Sequence, residues 1–289
     1  MPPMRVRRLV FFVAVLAALG AAVPGCSKES TTPPQALTGR IDPATAPVRV
    51  GRVEVVQTIP HSVSSWTEGL VLDGGKLYES TGQVGMSMLY EIDPGIGTIT
   101  RRAPLPTNLY GEGLAKVGNE FVQLTWKDGK ALVWNASTFQ QSGSHSYKGE
   151  GWGLCYDGHR LVMSNGSSSL TFRNAKTFES TGQVKVTLDG EPVPQLNELE
   201  CVNGKVYANV WHSDRIVVIE PTSGKVTELI DASDLLTPQE RVGTDVLNGI
   251  AYDPASHTFW LTGKLWPHLF RVRIVPATGP LPSAPTTTR

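Results

Sequence analysis

Gly111-Glu112-Gly113-Leu114 is a segment whose pattern occurs five times along the chain. Its counterparts are Thr67-Glu68-Gly69-Leu70, Gly151-Trp152-Gly153-Leu154, Leu196-Asn197-Glu198-Leu199 and Leu247-Asn248-Gly249-Ile250. When the second residue of each segment is taken as equivalent, successive positions lie 44, 40, 45 and 51 residues apart. That spacing matches one four-stranded unit of a β-propeller, which takes about 40 to 50 residues. The repeat therefore predicts five such units.

Short strands joined by tight turns fit the residues between the repeated segments. Turn sequences such as Asp73-Gly74-Gly75 and Asn203-Gly204 separate β-rich runs, which indicates hairpins. The fifth unit runs out of chain after its third strand, whereas residues 51–59 form an extra strand before the first unit. We therefore expect an all-β, five-bladed β-propeller over residues 49–276, with the last blade closed by the N-terminal strand.

The two ends of the chain have other compositions. A basic start and a short apolar run over residues 9–23 are typical of a signal peptide. It ends in Val23-Pro24-Gly25-Cys26, which resembles a bacterial lipoprotein processing box, so we expect residues 1–26 to be a signal peptide and Cys26 to be lipidated. Ordinary signal cleavage and an uncleaved anchor are the alternatives. Residues 27–48 predict a flexible linker, and residues 277–289 a disordered tail.

These features predict an exported protein on the periplasmic face of a bacterial membrane. With 26 basic and 26 acidic residues the net charge is zero, which argues against nucleic acid as a partner. We expect membrane contact through the lipid anchor only, and a monomer. If Cys26 is acylated, Cys155 and Cys201 remain, and export permits a disulfide between them. Two buried free thiols are the alternative.

Equivalent positions of a propeller meet around its central axis. The repeated position brings together Glu68, Glu112, Trp152, Asn197 and Asn248, and a second level holds Gly82, Trp126, Gly166, Trp211 and Lys264. Carboxylates, amides, indoles and an ammonium that converge in one cavity are typical of a small-ligand site. Indoles that pack between blades and side chains that cap the backbone are the structural alternative. The six histidines show no zinc-type spacing, so no metal site is predicted.

Eight motifs in order resemble the plant-type glutaminyl-peptide cyclotransferase (glutaminyl cyclase) family, which also occurs in bacteria. They are Trp66-Thr67-Glu68-Gly69-Leu70, Tyr78-Glu79-Ser80-Thr81-Gly82, Tyr110-Gly111-Glu112-Gly113-Leu114, Leu124-Thr125-Trp126-Lys127, Gly151-Trp152-Gly153-Leu154, Leu196-Asn197-Glu198-Leu199-Glu200, Leu247-Asn248-Gly249-Ile250-Ala251 and Thr262-Gly263-Lys264. The resemblance covers residues 52–275.

The resemblance implies a five-bladed propeller that converts the N-terminal glutamine of peptides or proteins into pyroglutamate and releases ammonia. It implies that no cofactor is required for catalysis, and it allows a structural ion in the central channel. The family pattern makes Glu112 the principal acid/base, with Glu68 and Lys264 as further catalytic residues. Substrate-binding residues are then Trp126, Trp152, Asn197 and Trp211, and the ring position adds Asn248.

One position departs from the family pattern, because Glu68 stands where the family commonly has glutamine. Two carboxylates would then share the pocket, and one of them would hold a proton more tightly than usual. Two other functions fit a propeller with a lined mouth. One is a non-enzymatic periplasmic binding or scaffold module, and the other is an enzyme such as a lactonase, which would need calcium in the channel.

Overall fold

The structure is a computed structural model that describes residues 47–278. Regular structure in this range is β-strand throughout, without a helix, which confirms the predicted all-β class. Accordingly, this range holds no helix with the length and apolarity of a membrane span. The predicted signal peptide with Cys26, most of the predicted linker and most of the predicted tail lie outside the described residues.

Three four-stranded sheets follow one another along the chain. The first contains β2 (Thr67–Asp73), β3 (Lys76–Thr81), β4 (Met88–Ile92) and β5 (Ile99–Pro104). The second contains β6 (Gly111–Val117), β7 (Glu120–Thr125), β8 (Lys130–Asn135) and β9 (Gln141–Ser146). The third contains β10 (Leu154–Tyr156), β11 (Arg160–Met163), β12 (Ser169–Asn174) and β13 (Ser180–Lys185). In each sheet every strand pairs antiparallel with the next.

The rest of the described chain forms a two-stranded and an eight-stranded sheet. The small sheet is β14 (Thr187–Leu188) with β15 (Glu191–Pro192). The large sheet contains β16 (Leu196–Val202), β17 (Lys205–Val210), β18 (Arg215–Ile219), β19 (Val226–Asp231), β20 (Leu247–Asp253), β21 (Thr258–Gly263), β22 (His268–Pro276) and β1 (Arg49–Pro60). β1 lies between β19 and β22, in parallel and antiparallel pairing respectively. The first strand is thus the neighbour of the last, the partner that the sequence predicted for it.

Tight turns produce this up-and-down order. Gly74 and Gly75 have φ angles of 56° and 75° between β2 and β3. Asn203 and Gly204 have φ angles of 49° and 76° between β16 and β17. Two consecutive positive φ angles define the type I′ turn, whose twist matches that of the flanking strands. The hairpins predicted at these two places are confirmed.

The strands β2, β6, β10, β16 and β20, here called the inner strands, contact one another in that order, and β20 also contacts β2. The three four-stranded sheets and the two halves of the large sheet, β16 to β19 and β20 to β22 with β1, are here called the four-strand groups. Apolar side chains pack between neighbouring groups. For example, Leu70 and Leu77 of the first sheet pack with Trp260 and Leu269 of β21 and β22. Burial between groups therefore holds the inner strands together, so that equivalent positions on them meet in space.

A disulfide joins two neighbouring inner strands. It links Cys155 of β10 to Cys201 of β16, whose Cα atoms are 5.4 Å apart. That separation is within the usual range for a disulfide. Of the two alternatives that the sequence left open, the structure has the disulfide.

Candidate active site

The functional positions of the inner strands are sites of irregular pairing. The β-sheet register shifts between Thr67 and Gly69 in β2, and between Gly111 and Leu114 in β6. β16 and β20 shift in the same way around Asn197 and Asn248. A bulge leaves its residue outside the regular ladder and changes the direction of its side chain. In β2, β6, β16 and β20 the repeated segment is thus a bulge, whereas Trp152 of the third sheet precedes β10.

The glycine after most of these positions allows close approach of neighbouring inner strands. A Cβ atom added to Gly69 would lie 2.6 Å from the Leu114 nitrogen, and one on Gly153 would lie 2.1 Å from the Asn197 oxygen. Glu198 takes the place of this glycine in β16. Its carboxyl accepts hydrogen bonds from the backbone N–H groups of Leu70 (3.3 Å) and Ile250 (2.8 Å).

Four of the five side chains at the repeated positions line a cavity of about 230 Å³. Its lining residues are Trp66, Glu68, Tyr110, Glu112, Trp126, Trp152, Asn197, Trp211, His212, Asp245 and Lys264. Seven of the eight residues predicted for catalysis or substrate binding are in this set. The structure therefore brings them together as the repeat required.

Glu68 is held by three donors. Its Oε1 accepts hydrogen bonds from the Lys264 ammonium (2.7 Å) and the Tyr110 hydroxyl (2.9 Å). Its Oε2 accepts a hydrogen bond from the side-chain amide of Asn248 at 3.1 Å. Burial raises the pKa of Glu68, while the charge and hydrogen bond of Lys264 limit that rise. All three donors favour the carboxylate form of Glu68.

Of the two carboxyl groups, Glu112 has the more strongly raised pKa. Burial raises the pKa of Glu112 well above its usual range, and the negative charge of Glu68 raises it further, although Lys264 opposes both. Glu112 is 6% exposed. The hydroxyl of Ser80 donates a hydrogen bond to its backbone oxygen, which fixes the peptide that carries the carboxyl. A proton held by a buried carboxyl in a cavity is suited to acid/base chemistry.

Aromatic rings form the cavity wall. The Trp152 and Trp211 rings meet edge to face at a centroid distance of 5.6 Å, and Tyr110 packs against Trp126 at the same distance. Glycines of the second level make room for these rings. A Cβ atom on Gly82 would lie 2.4 Å from the Tyr110 ring, and one on Gly166 would lie 2.6 Å from the Trp152 ring.

Comparison with known proteins identifies the family of the chain. The sequence profile of the glutamine cyclotransferases matches residues 25–274. The chain belongs to the glutamine cyclotransferase family. It is 35% identical over 232 residues to a glutaminyl-peptide cyclotransferase of Arabidopsis thaliana, which covers 78% of this chain and 72% of the relative. It is also similar to the crystal structure of Myxococcus xanthus glutaminyl cyclase, with 38% identity, a TM-score of 0.72, and coverage of 80% of this chain and 99% of that chain.

One predicted substrate-binding residue of this cyclotransferase lies elsewhere. Asn248 is fully buried and does not line the cavity. Its amide donates hydrogen bonds to the Thr67 backbone oxygen (2.9 Å) and to Glu68. Asn248 therefore holds the Glu68 carboxyl by a hydrogen bond from outside the cavity. A direct contact between Asn248 and substrate stays a prediction.

The site positions predicted from the repeat do not include Trp66, Tyr110 and Glu150. Trp66 and Tyr110 line the cavity, and Glu150 contacts two of its indoles. Each lies two residues before a repeated position, namely before Glu68, Glu112 or Trp152. Residues i and i−2 of an extended chain point to the same side. Extending the repeat by two residues towards the N-terminus would have found all three.

Within residues 47–278, no cluster of three or more histidine, cysteine, aspartate or glutamate side chains has the arrangement of a metal site. Cys26, the predicted lipidation site, lies outside the described residues. His212, which also lines the cavity, packs its ring 3.9 Å from that of Trp211.

Proposed function

We propose that this chain is a glutaminyl-peptide cyclotransferase that converts N-terminal glutamine of peptides or proteins into pyroglutamate with release of ammonia. The observation that carries the proposal is the buried pair Glu68–Glu112, with Lys264 on one side and indoles around it, in a member of this family. The cavity of about 230 Å³ is smaller than drug-sized sites of roughly 300–1,000 Å³. It suits one side chain and its α-amine.

The reaction needs no covalent enzyme intermediate because the nucleophile belongs to the substrate. The α-amine attacks the γ-carboxamide carbon, and a C–N bond forms as the carbonyl becomes an oxyanion. The oxyanion then collapses, the bond to the carboxamide nitrogen breaks, and ammonia leaves. The enzyme must hold the side chain in a ring-closing geometry and move one proton from the amine to the leaving nitrogen.

We assign the proton transfer to Glu112. The substrate reacts as the neutral α-amine. Ionised Glu112 takes one proton from the amine nitrogen as the C–N bond forms, and in its acid form it gives that proton to the departing nitrogen. A pKa raised towards the working pH suits both halves of this cycle.

Charge stabilisation falls to Lys264, and substrate orientation to the other cavity residues. The ammonium of Lys264 has three N–H donors and gives one to Glu68, so another is free to reach the oxyanion. The Glu68 carboxylate accepts a hydrogen bond from the substrate α-amino group and orients it. Asn197, whose backbone oxygen is fixed by the Ser164 hydroxyl at 2.6 Å, recognises the scissile amide or the peptide backbone.

The fold we propose for this enzyme is a five-bladed β-propeller. Three observations support it: the four-strand groups, the contacts of each inner strand with the next, and the contact between β20 and β2. In this arrangement β1 is the outer strand of the last blade, beside β22.

We propose that the enzyme is a monomer and that its catalysis is independent of metal. Any ion in the channel would serve structure only. We also propose export and lipid anchoring through Cys26. The Cys155–Cys201 disulfide supports export, because disulfides persist in oxidising compartments. Membrane fractionation of Cys26→Ala cells tests the anchor, and a protein that stays membrane-bound would refute it.

Ammonia release from a glutamine-initiated peptide tests the function. We expect turnover by the purified protein to resist chelator, and Glu112→Gln to lower kcat at least about 100-fold with the fold intact. Glu54→Gln, which removes an exposed carboxyl on β1, is the matched control and keeps wild-type turnover. Folded protein without turnover would favour the binding-module alternative. Turnover lost on chelation would favour a metal-dependent enzyme.

A further inference from the structure

Glu150 joins two indoles of the cavity wall through one oxygen atom. Its Oε2 accepts a hydrogen bond from Trp126 Nε1 at 2.9 Å and another from Trp152 Nε1 at 3.0 Å. Trp126 follows β7 in the second sheet, and Trp152 precedes β10 in the third. The carboxylate therefore joins the two sheets at the cavity, although Glu150 itself does not line it.

These hydrogen bonds determine what the indoles offer to a substrate. An indole has one donor, its Nε1–H, and no acceptor. Because both donors are used by Glu150, the two rings present only apolar surface to the cavity. A rotated ring would place its N–H elsewhere, so one shared acceptor also fixes the orientation of each ring relative to the other. Trp211 packs edge to face on Trp152, which extends the ordered wall by a third indole.

Lys127 completes the arrangement on the solvent side. Its Nζ lies 3.6 Å from Glu150 Oε1 and 3.8 Å from the centre of the Trp126 ring. The Lys127 side chain is 59% exposed, so this ion pair adds little by itself. The two N–H donors are the contacts that matter.

We propose that Glu150 is a positioning residue of the active site, whose single carboxylate oxygen fixes the Trp126 and Trp152 indoles as an apolar wall against the substrate side chain. The proposal rests on the proposed function, since the substrate held by this wall is the glutamine that cyclises. In this role Glu150 differs from Glu112 and Glu68, which act on the reacting atoms themselves.

Two substitutions at this position separate the acceptor from the charge. Glu150→Ala removes the acceptor, leaves both indole N–H groups without their partner and loosens the wall. We expect KM for a glutamine-initiated peptide to rise about tenfold with kcat changed less than about threefold, because an unmet donor weakens binding by that order. Glu150→Gln keeps an amide oxygen with two lone pairs, and we expect KM within about threefold of wild type.

Lys127→Met is the matched control, because it removes the exposed ion pair and the contact of the ammonium with the Trp126 ring, and leaves the acceptor. We expect its KM and kcat to equal those of wild type. Near-UV circular dichroism of the indoles is a second measurement that does not depend on turnover. Its signal should change in Glu150→Ala and persist in Glu150→Gln and Lys127→Met, with thermal unfolding reporting that all variants are folded.

Two results would overturn the proposal. One is Glu150→Ala with unchanged KM and unchanged indole dichroism, which would mean that packing alone holds the rings. The other is Glu150→Gln as impaired as Glu150→Ala, which would make the charge the important property. Failure of the proposed function looks different, because wild type itself would then release no ammonia while the dichroism comparison still tests the wall.

Discussion

Glu68 places a negative charge beside Glu112, and that charge is one cause of the raised pKa of Glu112. Glu68→Gln removes the charge and keeps the shape of the side chain, so the pKa of Glu112 should fall towards its usual value. Glu112 must be ionised to take the amine proton, and kcat/KM therefore rises with pH through this pKa. We predict that the acidic limb of the pH profile moves to lower pH by roughly one unit.

The measurement is ammonia release from a glutamine-initiated peptide as a function of pH. Glu120→Gln is the control, because it removes an exposed carboxyl at the start of β7 and should leave the limb in place. An acidic limb that stays where it is in Glu68→Gln would show that Glu68 does not set the protonation of Glu112.

The spacing of the repeat predicts which side chains lie at the same level of the molecule. It does not predict the direction in which each of them points. The repeat and the family resemblance together predicted seven of the cavity residues, namely Glu68, Glu112, Trp126, Trp152, Asn197, Trp211 and Lys264. Asn248 occupies an equivalent position and the register shifts there as well, yet its amide turns to Glu68 and to the Thr67 backbone oxygen. Glu150 lies two residues before a repeated position, so the repeat marks its place. Its hydrogen bonds to indoles from two sheets are a tertiary contact that no local pattern contains.

Among the structural elements, β10 and β16 are joined by the Cys155–Cys201 disulfide, which closes a loop with a sequence separation of 46 residues. A cross-link of that span stabilises the folded state by about 4 kcal/mol in the chain-entropy treatment. We predict that the double variant Cys155→Ala/Cys201→Ala has a free energy of unfolding lower by about that amount. It should therefore unfold at a lower urea concentration. Neither cysteine lines the cavity, so the KM of the double variant should be unchanged.

Reductant supplies the control for this prediction. It should lower the urea midpoint of the wild type to that of the double variant, and leave the double variant itself unaffected. Equal midpoints for oxidised wild type and the double variant would contradict a stabilising disulfide. Sequence left this bond open because composition permits a pair of thiols as readily as a bridge. The separation of 5.4 Å between the Cα atoms becomes known only with the strands in place.

For the molecule as a whole, a buried ion pair lies where the first and last four-strand groups meet. His61 follows β1 and donates from Nε2 to Glu79 of β3 at 3.0 Å, while Nδ1 contacts the Trp266 backbone oxygen at 2.9 Å. Both side chains are about fully buried, at 1% and 0% exposure. With acceptors at both ring nitrogens, the imidazolium is the form that satisfies every partner.

The pH dependence of stability follows from this pair. Burial alone would lower the pKa of His61, but the charge and hydrogen bond of Glu79 raise it above the usual value. A group whose folded pKa is raised adds stability that is fully present below its unfolded pKa, near 6.5. That stability is lost as the pH rises through the folded pKa. We predict that Glu79→Gln lowers the melting temperature most below pH 6.5, and progressively less at higher pH.

Wild type and variant must be compared at each pH, because other groups also titrate. Burial raises the pKa of Glu200, for instance, to about 8. Its contribution also lowers the stability of the folded protein as the pH rises from 4.5 towards 8. The difference between the two melting curves removes this shared contribution. Glu240→Gln is the matched control, since it breaks a histidine–glutamate pair with His268 that is about one-third exposed, and surface pairs contribute little. A Glu79→Gln difference that is constant with pH would mean that His61 is neutral and that hydrogen bonding alone joins the two groups.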